Sequence, residues 1–351
     1  MLTIDGSLGE GGGQIVRSSL AIAALRGKAV RISNIRAGRA KPGLMRQHLA
    51  AVRAIAEICQ AKVEGDELSS TELSFSPSEI RSGEYQFRIG SAGSTTLVLQ
   101  TILPALCAAS AESKVTIEGG THNPLAPPFD FLQRSFLPQL RRFGPSVDVV
   151  LKRYGFMPSG GGRIEVDVTP SKMLHGLDLV ERGASQGKVV RAVVAQIDPR
   201  VADRELDALR RKANWDDGDF QVVSVDAAEC NGAGNAVVIE LCFENVTEVI
   251  AELGRVGVRA EHVARSALKK ARSYLSKGLP VGPYLADQLL LPMGIAAFQG
   301  HTSRFRTGPL TQHSKTHIEL LRELLGVSIE AETVHEPGAT GDVVDVTVQP
   351  A

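Results

Sequence analysis

In "LMRQHLAAVRAIAEI", which begins at Leu44, apolar residues recur every three to four positions, the spacing of one helical face. The same period runs through "FDFLQRSFLPQLRRF" from Phe129 and "HSKTHIELLRELLG" from His313. Each predicted helix is followed by a short β-rich piece ("AKVEG", "SVDVV", "VSIEA"). An alternating strand that stops on proline comes next ("ELSFSP", "RIEVDVTP", "DVVDVTVQP"). The closing prolines are Pro77, Pro170 and Pro350. The first gap is about 93 residues and the second about 180, so the third unit is longer than its siblings by nearly one whole unit.

The excess runs from about Arg182 to Ser276. It reads as a strand "KVVRAVVAQI", a helix "VADRELDALRRKA", strands "FQVVSVD" and "NAVVIELCFE", and a helix "RAEHVARSALKKARSYL". The pattern therefore predicts an α/β (α+β) protein with a large repeat domain, residues 1–181 and 277–351, and a smaller inserted α/β domain, residues 182–276. A second echo supports the repeat. Each unit opens with a glycine-bearing turn before an apolar helix: "GEGGGQIVRSSLAIAAL", "GSAGSTTLVLQTILPAL" and "VGPYLADQLLLPMGI". Three helix N-termini would then line a common centre and offer it unpaired backbone amides, an arrangement suited to phosphates.

Composition narrows the function. At 351 residues and 43% hydrophobic content the chain can bury a sizeable core. No run of about 18 apolar residues is available to cross a bilayer, and "MLTIDGSLGEGGGQ" lacks the order of a signal peptide, so no membrane role and a cytoplasmic location are expected. The four cysteines, Cys59, Cys107, Cys230 and Cys242, are scattered, with no CxxC pair, and read as reduced and mostly buried. The formal net charge of zero argues against a broad footprint on duplex nucleic acid, while a local basic pocket for one phosphorylated end stays open.

Five stretches carry candidate chemistry. "GEGGGQIVR" opens a helix but is neither a Walker loop nor GxGxxG; it is a tight turn or an anion site, with Glu10 available for a hard cation and Arg17 about two turns in. "RAGRAKPGLMRQH" gathers Arg36, Arg39, Lys41 and Arg46, a solvated face or a set of forks for phosphate oxygens. "RYGFMPSGGG" is a hairpin or a place where backbone or ligand approaches closely. In "GPYLADQLLLPMG", Tyr284 is a core tyrosine or a stacking platform, and Asp287 a helix-start acid or the partner of an imidazole or metal. In "TQHSKTHIELL", His313 and His317 are four apart on one helical face. Ser314 stands where a zinc peptidase's HExxH needs glutamate, so a metal clip is disfavoured. His313, at the mouth of the helix, suits a nucleophile because neutral imidazole attacks phosphorus directly; His317, one turn deeper, suits a structural role.

Together these pieces resemble the RNA 3'-terminal phosphate cyclases along nearly the full chain. The matching segments are "DGSLGEGGGQIVRSSL", "IRAGRAKPGLMRQHL", "IGSAGSTTLVLQTILPAL", "GGTHNPLAPPFDF", "GFMPSGGG", "YLADQLLLPM" and the His313 segment. The resemblance implies a large domain of three βαβαββ units, each like the C-terminal domain of a translation initiation factor, with the third interrupted by a smaller α/β domain. It implies ATP and a divalent cation, Mg²⁺ or Mn²⁺, as cofactors and RNA 3'-phosphate ends as partners. The histidine matching His313 would take AMP from ATP, pass it to the RNA 3'-phosphate, and leave a 2',3'-cyclic phosphate after attack by the 2'-hydroxyl.

By the same resemblance Glu10 would bind the metal, and Arg17, Arg36, Arg39 and Gln47 would surround phosphates of ATP or of the RNA end. Gln100 and the run Tyr284, Leu285, Ala286, Asp287 and Gln288 would form the nucleotide site, with Tyr284 and Pro127 sandwiching adenine. Asp287 would orient His313 or the metal. The family commonly has asparagine where this chain has His317. Two rival readings share the fold type: a non-catalytic cyclase-like RNA or ribosome-assembly protein, which lacks the nucleophilic histidine, and an enolpyruvyl transferase-like enzyme. Pairing of two copies into a homodimer is left open.

Overall fold

The computed structural model describes residues 1–334 and 341–351. The first stretch of chain forms β1 (Leu2–Asp5), α1 (Gly13–Arg26), β2 (Val30–Ser33), α2 (Arg46–Ile58), β3 (Lys62–Glu64) and β4 (Leu73–Ser76). Next come β5 (Glu84–Arg88), α3 (Thr95–Cys107), β6 (Ser113–Gly119), α4 (Phe129–Phe131), a π turn (Leu132–Phe136), α5 (Leu137–Arg142), β7 (Ser146–Arg153) and β8 (Gly162–Thr169). The single helix expected from Phe129 thus widens in its middle. Pro138 lacks the amide an α-helix needs there, and the wide turn lies immediately before it.

After the short β9 (Asp178–Leu179) the chain builds β10 (Ser185–Ala195), α6 (Arg200–Ala213), β11 (Phe220–Val225), β12 (Gly234–Phe243), β13 (Thr247–Leu253) and α7 (Ala260–Lys277). It then forms α8 (Pro283–Phe298), β14 (Ser303–Thr307), α9 (Gln312–Leu325), β15 (Ser328–Val334) and β16 (Val343–Gln349). β13 adds to the strands expected between residues 182 and 276; it is "TEVIAEL", with polar residues at its first, second and sixth positions and so no strict alternation in sequence.

Among the described residues four mixed sheets form. Three share one order and one pattern of direction: β1-β2-β4-β3, β5-β6-β8-β7 and β9-β14-β16-β15. In each the first pair is parallel and the other two are antiparallel. The fourth sheet, β11-β10-β12-β13, is built wholly from the chain between β9 and α8.

The helices against these sheets divide into two kinds. α2, α7 and α9 bury one face, whereas α1, α3 and α8 are buried nearly all round, with apolar residues on every side and a few polar ones among them. α1 packs on α2, α3 and α9, and α8 packs on α9, so polar side chains on these inner helices face one another across a shared cleft. Among the described residues no helix is long and apolar enough to cross a membrane. All four cysteines are free thiols.

Candidate active site

The chain leaves β1 through a glycine-rich turn that lies flat on α9. Gly9 has φ +54°, and a Cβ there would stand 2.1 Å from Thr316 Oγ1, so only glycine allows both the turn and the contact. The Glu10 amide donates to that same hydroxyl at 3.2 Å. Gly12 begins α1 with no side-chain cap, which leaves the first amides of the helix without a side-chain partner.

Cations gather at this helix start. A Cβ on Gly13 would meet His48 Nε2 at 2.3 Å and Arg17 Nη1 at 3.0 Å, and one on Gly12 would meet Arg39 Nη2 at 3.3 Å. Arg17 makes no hydrogen bond or ion pair among the described residues; burial pushes its pKa down to about 10, against the pull of Asp287, so it stays charged at neutral pH. Arg39 donates to the Glu10 carbonyl at 3.1 Å and lies 3.4 Å from its carboxylate. Arg36, at φ +55°, points one nitrogen at its own loop, donating to the carbonyls of Lys41 and Gly43. His48 accepts the Met45 amide through Nδ1, and burial together with Arg17 and Arg36 pushes its pKa down to about 3, so it is a neutral ring.

Asp287 is the hub of the second half of the site. Only 7% exposed, it sits in the first turns of α8, and its Oδ1 lies 2.7 Å from His313 Nδ1 and accepts from Gln14 Nε2 at 2.9 Å. Oδ2 accepts from Gln288 Nε2 at 3.2 Å. His317 is buried, with Nε2 3.0 Å from Ser18 Oγ and Nδ1 3.6 Å from Asp287. Burial works against ionisation of Asp287, yet the two imidazoles outweigh it and hold the carboxyl well below the usual range. An anion there keeps the His313 proton on Nδ1 and leaves Nε2 with its lone pair outward. That nitrogen has no hydrogen-bond partner among the described residues, and the ring is the half-exposed member of the pair.

One cleft joins these groups. Gln14, Arg17, Ser18, Gln100, Asp287, Gln288, His313 and His317 all line it, and it runs on between α3 and α8 over Leu103, Cys107, Leu291 and Ile295. α1 and α8 offer it their first turns, but α3 crosses with its middle and far end, because its start is engaged elsewhere: the Ser94 amide donates to Gln47 Oε1 at 2.8 Å. Gln47 does not itself line the cleft; its oxygen accepts from the start of α3 and its NH₂ group has no partner among the described residues.

The run 284–288 divides by helical geometry. Leu285 and Ala286 are at 0% and 1% exposure, their side chains packed in the core; Tyr284 is 61% exposed beside the helix start; Asp287 and Gln288 face the cleft. Pro127 stands on the loop after β6, where its carbonyl accepts from Thr96 Oγ1 at 2.7 Å; it does not line the cleft. Sequence reasoning missed Gln14, Ser18 and Thr316. Gln14, Arg17 and Ser18 are spaced i, i+3, i+4, so the face that carries Arg17 was the available signal for the first two.

Among the described residues no three of His, Cys, Asp and Glu cluster to form a metal cage. Glu10 is a lone exposed carboxylate beside Arg39. That donor set fits a hard cation held mainly by phosphate oxygens and water, as Mg²⁺ commonly is. For nucleotide phosphates the fit is better, since an uncapped helix start and an uncommitted guanidinium adjoin.

A profile of the RNA 3'-terminal phosphate cyclase family matches residues 8–331. An RNA 3'-terminal phosphate cyclase of Pseudomonas fluorescens is 46% identical over 336 residues, 96% of each chain. That of Ectopseudomonas mendocina is 44% identical over 95% of this chain and 96% of its own, and that of Ralstonia nicotianae 46% identical over 94% and 93%. A solved EPSP synthase of Acinetobacter baumannii covers 99% of this chain and 64% of its own at 12% identity, with a TM-score of 0.30, a likeness too weak to bear on fold or chemistry.

Proposed function

The chain belongs to the RNA 3'-terminal phosphate cyclase family, and we propose that it performs that ligase-type reaction through His313 in three displacements at phosphorus. In the first, the Nε2 lone pair attacks the α-phosphorus of ATP; the bond to the bridging oxygen breaks and pyrophosphate leaves, giving histidyl-AMP. In the second, an oxygen of the RNA 3'-phosphate attacks that phosphorus and the P–N bond breaks, returning the imidazole. In the third, the 2'-hydroxyl attacks the 3'-phosphorus, loses its proton to solvent and expels AMP, which closes the 2',3'-cyclic phosphodiester.

The observation that carries this reading is the Asp287–His313 contact of 2.7 Å, on a ring that lines the cleft. It pre-sets the tautomer and stabilises the imidazolium that forms when Nε2 bonds to phosphorus. Arg17 and the open start of α1 would supply positive potential for departing pyrophosphate, and Arg39, beside Gly12, and Arg36 would take the RNA phosphate. Gln100 and Gln288 would bond the nucleotide, and Tyr284, exposed beside the start of α8, would stack on adenine across from Pro127. A divalent cation would be held by Glu10 and would neutralise charge on the phosphate oxygens.

We read the three sheets of shared order as three βαβαββ units akin to the translation initiation factor domain, residues 1–181 and 277–351, with the fourth sheet as a domain inserted at residues 182–276. The shared strand order and pairing senses support that division. The free thiols support a reducing, cytoplasmic site of action. The test is transfer of label from α-labelled ATP onto the protein. His313→Ala abolishes it, and His317→Ala keeps at least part of it. A labelled His313→Ala protein would remove this histidine from the role.

A further inference from the structure

The inserted unit reaches the helix that carries Asp287 at a buried point. Glu248 on β13 is 2% exposed, and its carboxyl lies against Gly282, the residue just before α8, whose amide favours its ionised form. The approach is close: a Cβ on Gly282 would stand 2.0 Å from Glu248 Oε1, although φ −74° there would suit any residue. Just upstream, the Tyr274 hydroxyl donates to the Pro280 carbonyl at 2.9 Å. Two side chains from the inserted unit thus grip the five-residue link that re-enters the large domain.

The other oxygen of Glu248, Oε2, is buried with no hydrogen-bond partner. Burying such a group is costly, and here the compensation is the helix start itself, whose orphan amide and partial positive charge attract an acceptor. Burial pushes the carboxyl up to about 8, against the lowering effect of that amide. None of this is needed to close the fourth sheet, where the backbone of Glu248 already pairs with Leu241.

We propose that Glu248 is a positioning residue for the adenylation step: by holding the Gly282 amide it sets the first turns of α8, and with them Tyr284 and Asp287, against His313 on α9. It touches no reacting atom. Its leverage comes from geometry, since Asp287 stands five residues beyond Gly282 on the same rigid helix and an ångström of misplacement at a reacting centre costs up to about 100-fold in rate. The inserted unit then becomes a brace for the nucleotide site. This rests on His313 as the nucleophile.

The experiment is a double-mutant cycle on the full chain, read as the rate of label transfer from α-labelled ATP at saturating nucleotide, with thermal melts alongside. Glu248→Gln offers the same acceptor oxygen and stays within about twofold of wild type. Glu248→Ala and Gly282→Ala each slow labelling by about tenfold or more, the first by freeing the helix start and the second by driving a methyl into the carboxylate. In the double variant the methyl occupies space the carboxylate vacated, so the rate is no slower than that of the worse single variant.

Singles within twofold of wild type, or single effects that multiply in the double, overturn the proposal. A glutamine variant as slow as the alanine one overturns it too. Binding of α,β-methylene-ATP to the same four proteins separates this claim from the assignment of His313. If the wild-type chain takes no label, that assignment falls, and the same non-additive pattern must still appear in the dissociation constants.

Discussion

Replacing Asp287 by asparagine changes one oxygen for an amide and removes one buried charge. The carboxylate accepts from three side chains, His313 at 2.7 Å, Gln14 at 2.9 Å and Gln288 at 3.2 Å. Asparagine keeps an oxygen for two of these donors, and Gln288 can rotate to meet the new NH₂ group, so the local packing survives. What is lost is the charge that steadies the imidazolium as Nε2 bonds to phosphorus. A hydrogen bond to a charged group contributes about 1.5–3 kcal/mol, which at 1.36 kcal/mol per decade is roughly 10- to 150-fold in rate.

The assay is single-turnover labelling with α-labelled ATP at saturating nucleotide and metal, where Asp287→Asn is expected to fall in that range. The metal concentration for half-maximal labelling stays where it was. A rate within twofold of wild type would refute the claim that this carboxylate serves the histidine. An unchanged maximal rate recovered only at raised metal would assign it to the cation instead.

Two further perturbations test the surrounding residues. Arg39→Ala raises the KM for 3'-phosphorylated RNA while the melting temperature holds, because its half-exposed pair with Glu10 contributes only about 0–1 kcal/mol; unchanged kinetics would return the "RAGRAKPG" run to ordinary surface. His48→Gln bears on stability through pH. With the folded ring pushed down to about 3, the unfolded chain takes up a proton below pH ~6.5 that the folded chain refuses, so this histidine makes the protein less stable as pH falls through that window, by about 1.4 kcal/mol per unit. Denaturation at pH 7.5 and pH 5.0 then shows the gap between wild type and His48→Gln move by about 2 kcal/mol in favour of the variant; an equal gap at both pH values refutes it. The comparison must be made between the two proteins, since Glu205 and Glu248, pushed up to about 7 and about 8 by burial, tilt the wild-type curve the other way.

The period-3.6 helices were legible because their apolar faces are continuous: α2 and α9 begin within two residues of where the pattern placed them. The glycine-edged turns were legible as well, since a backbone that must curl at Gly9 or pass Ala92 at Gly160 leaves no choice of residue. What the pattern could not show was direction. Residues 284–288 read as one block, yet a helix turns 100° per residue and sends Leu285 and Ala286 into the core while Asp287 faces His313.

Nor could sequence reveal partners brought from far away. Gln14, Ser18 and Thr316 look like ordinary helix polar residues until α1 and α9 are laid side by side. Gln47 carried the right chemistry for a phosphate ligand; what sequence could not show is that its amide oxygen accepts from the start of α3, which turns its NH₂ group into a fixed donor.

The bonds from Gln14 to Asp287 and from Ser18 to His317 join residues 273 and 299 positions apart. During synthesis the first of each pair leaves the ribosome long before its mate exists, roughly 15–60 s earlier at ordinary elongation rates. A nascent chain therefore spends most of its translation unable to consume nucleotide, and a product released early by a stop codon ahead of α8 would be inert toward ATP rather than partly active.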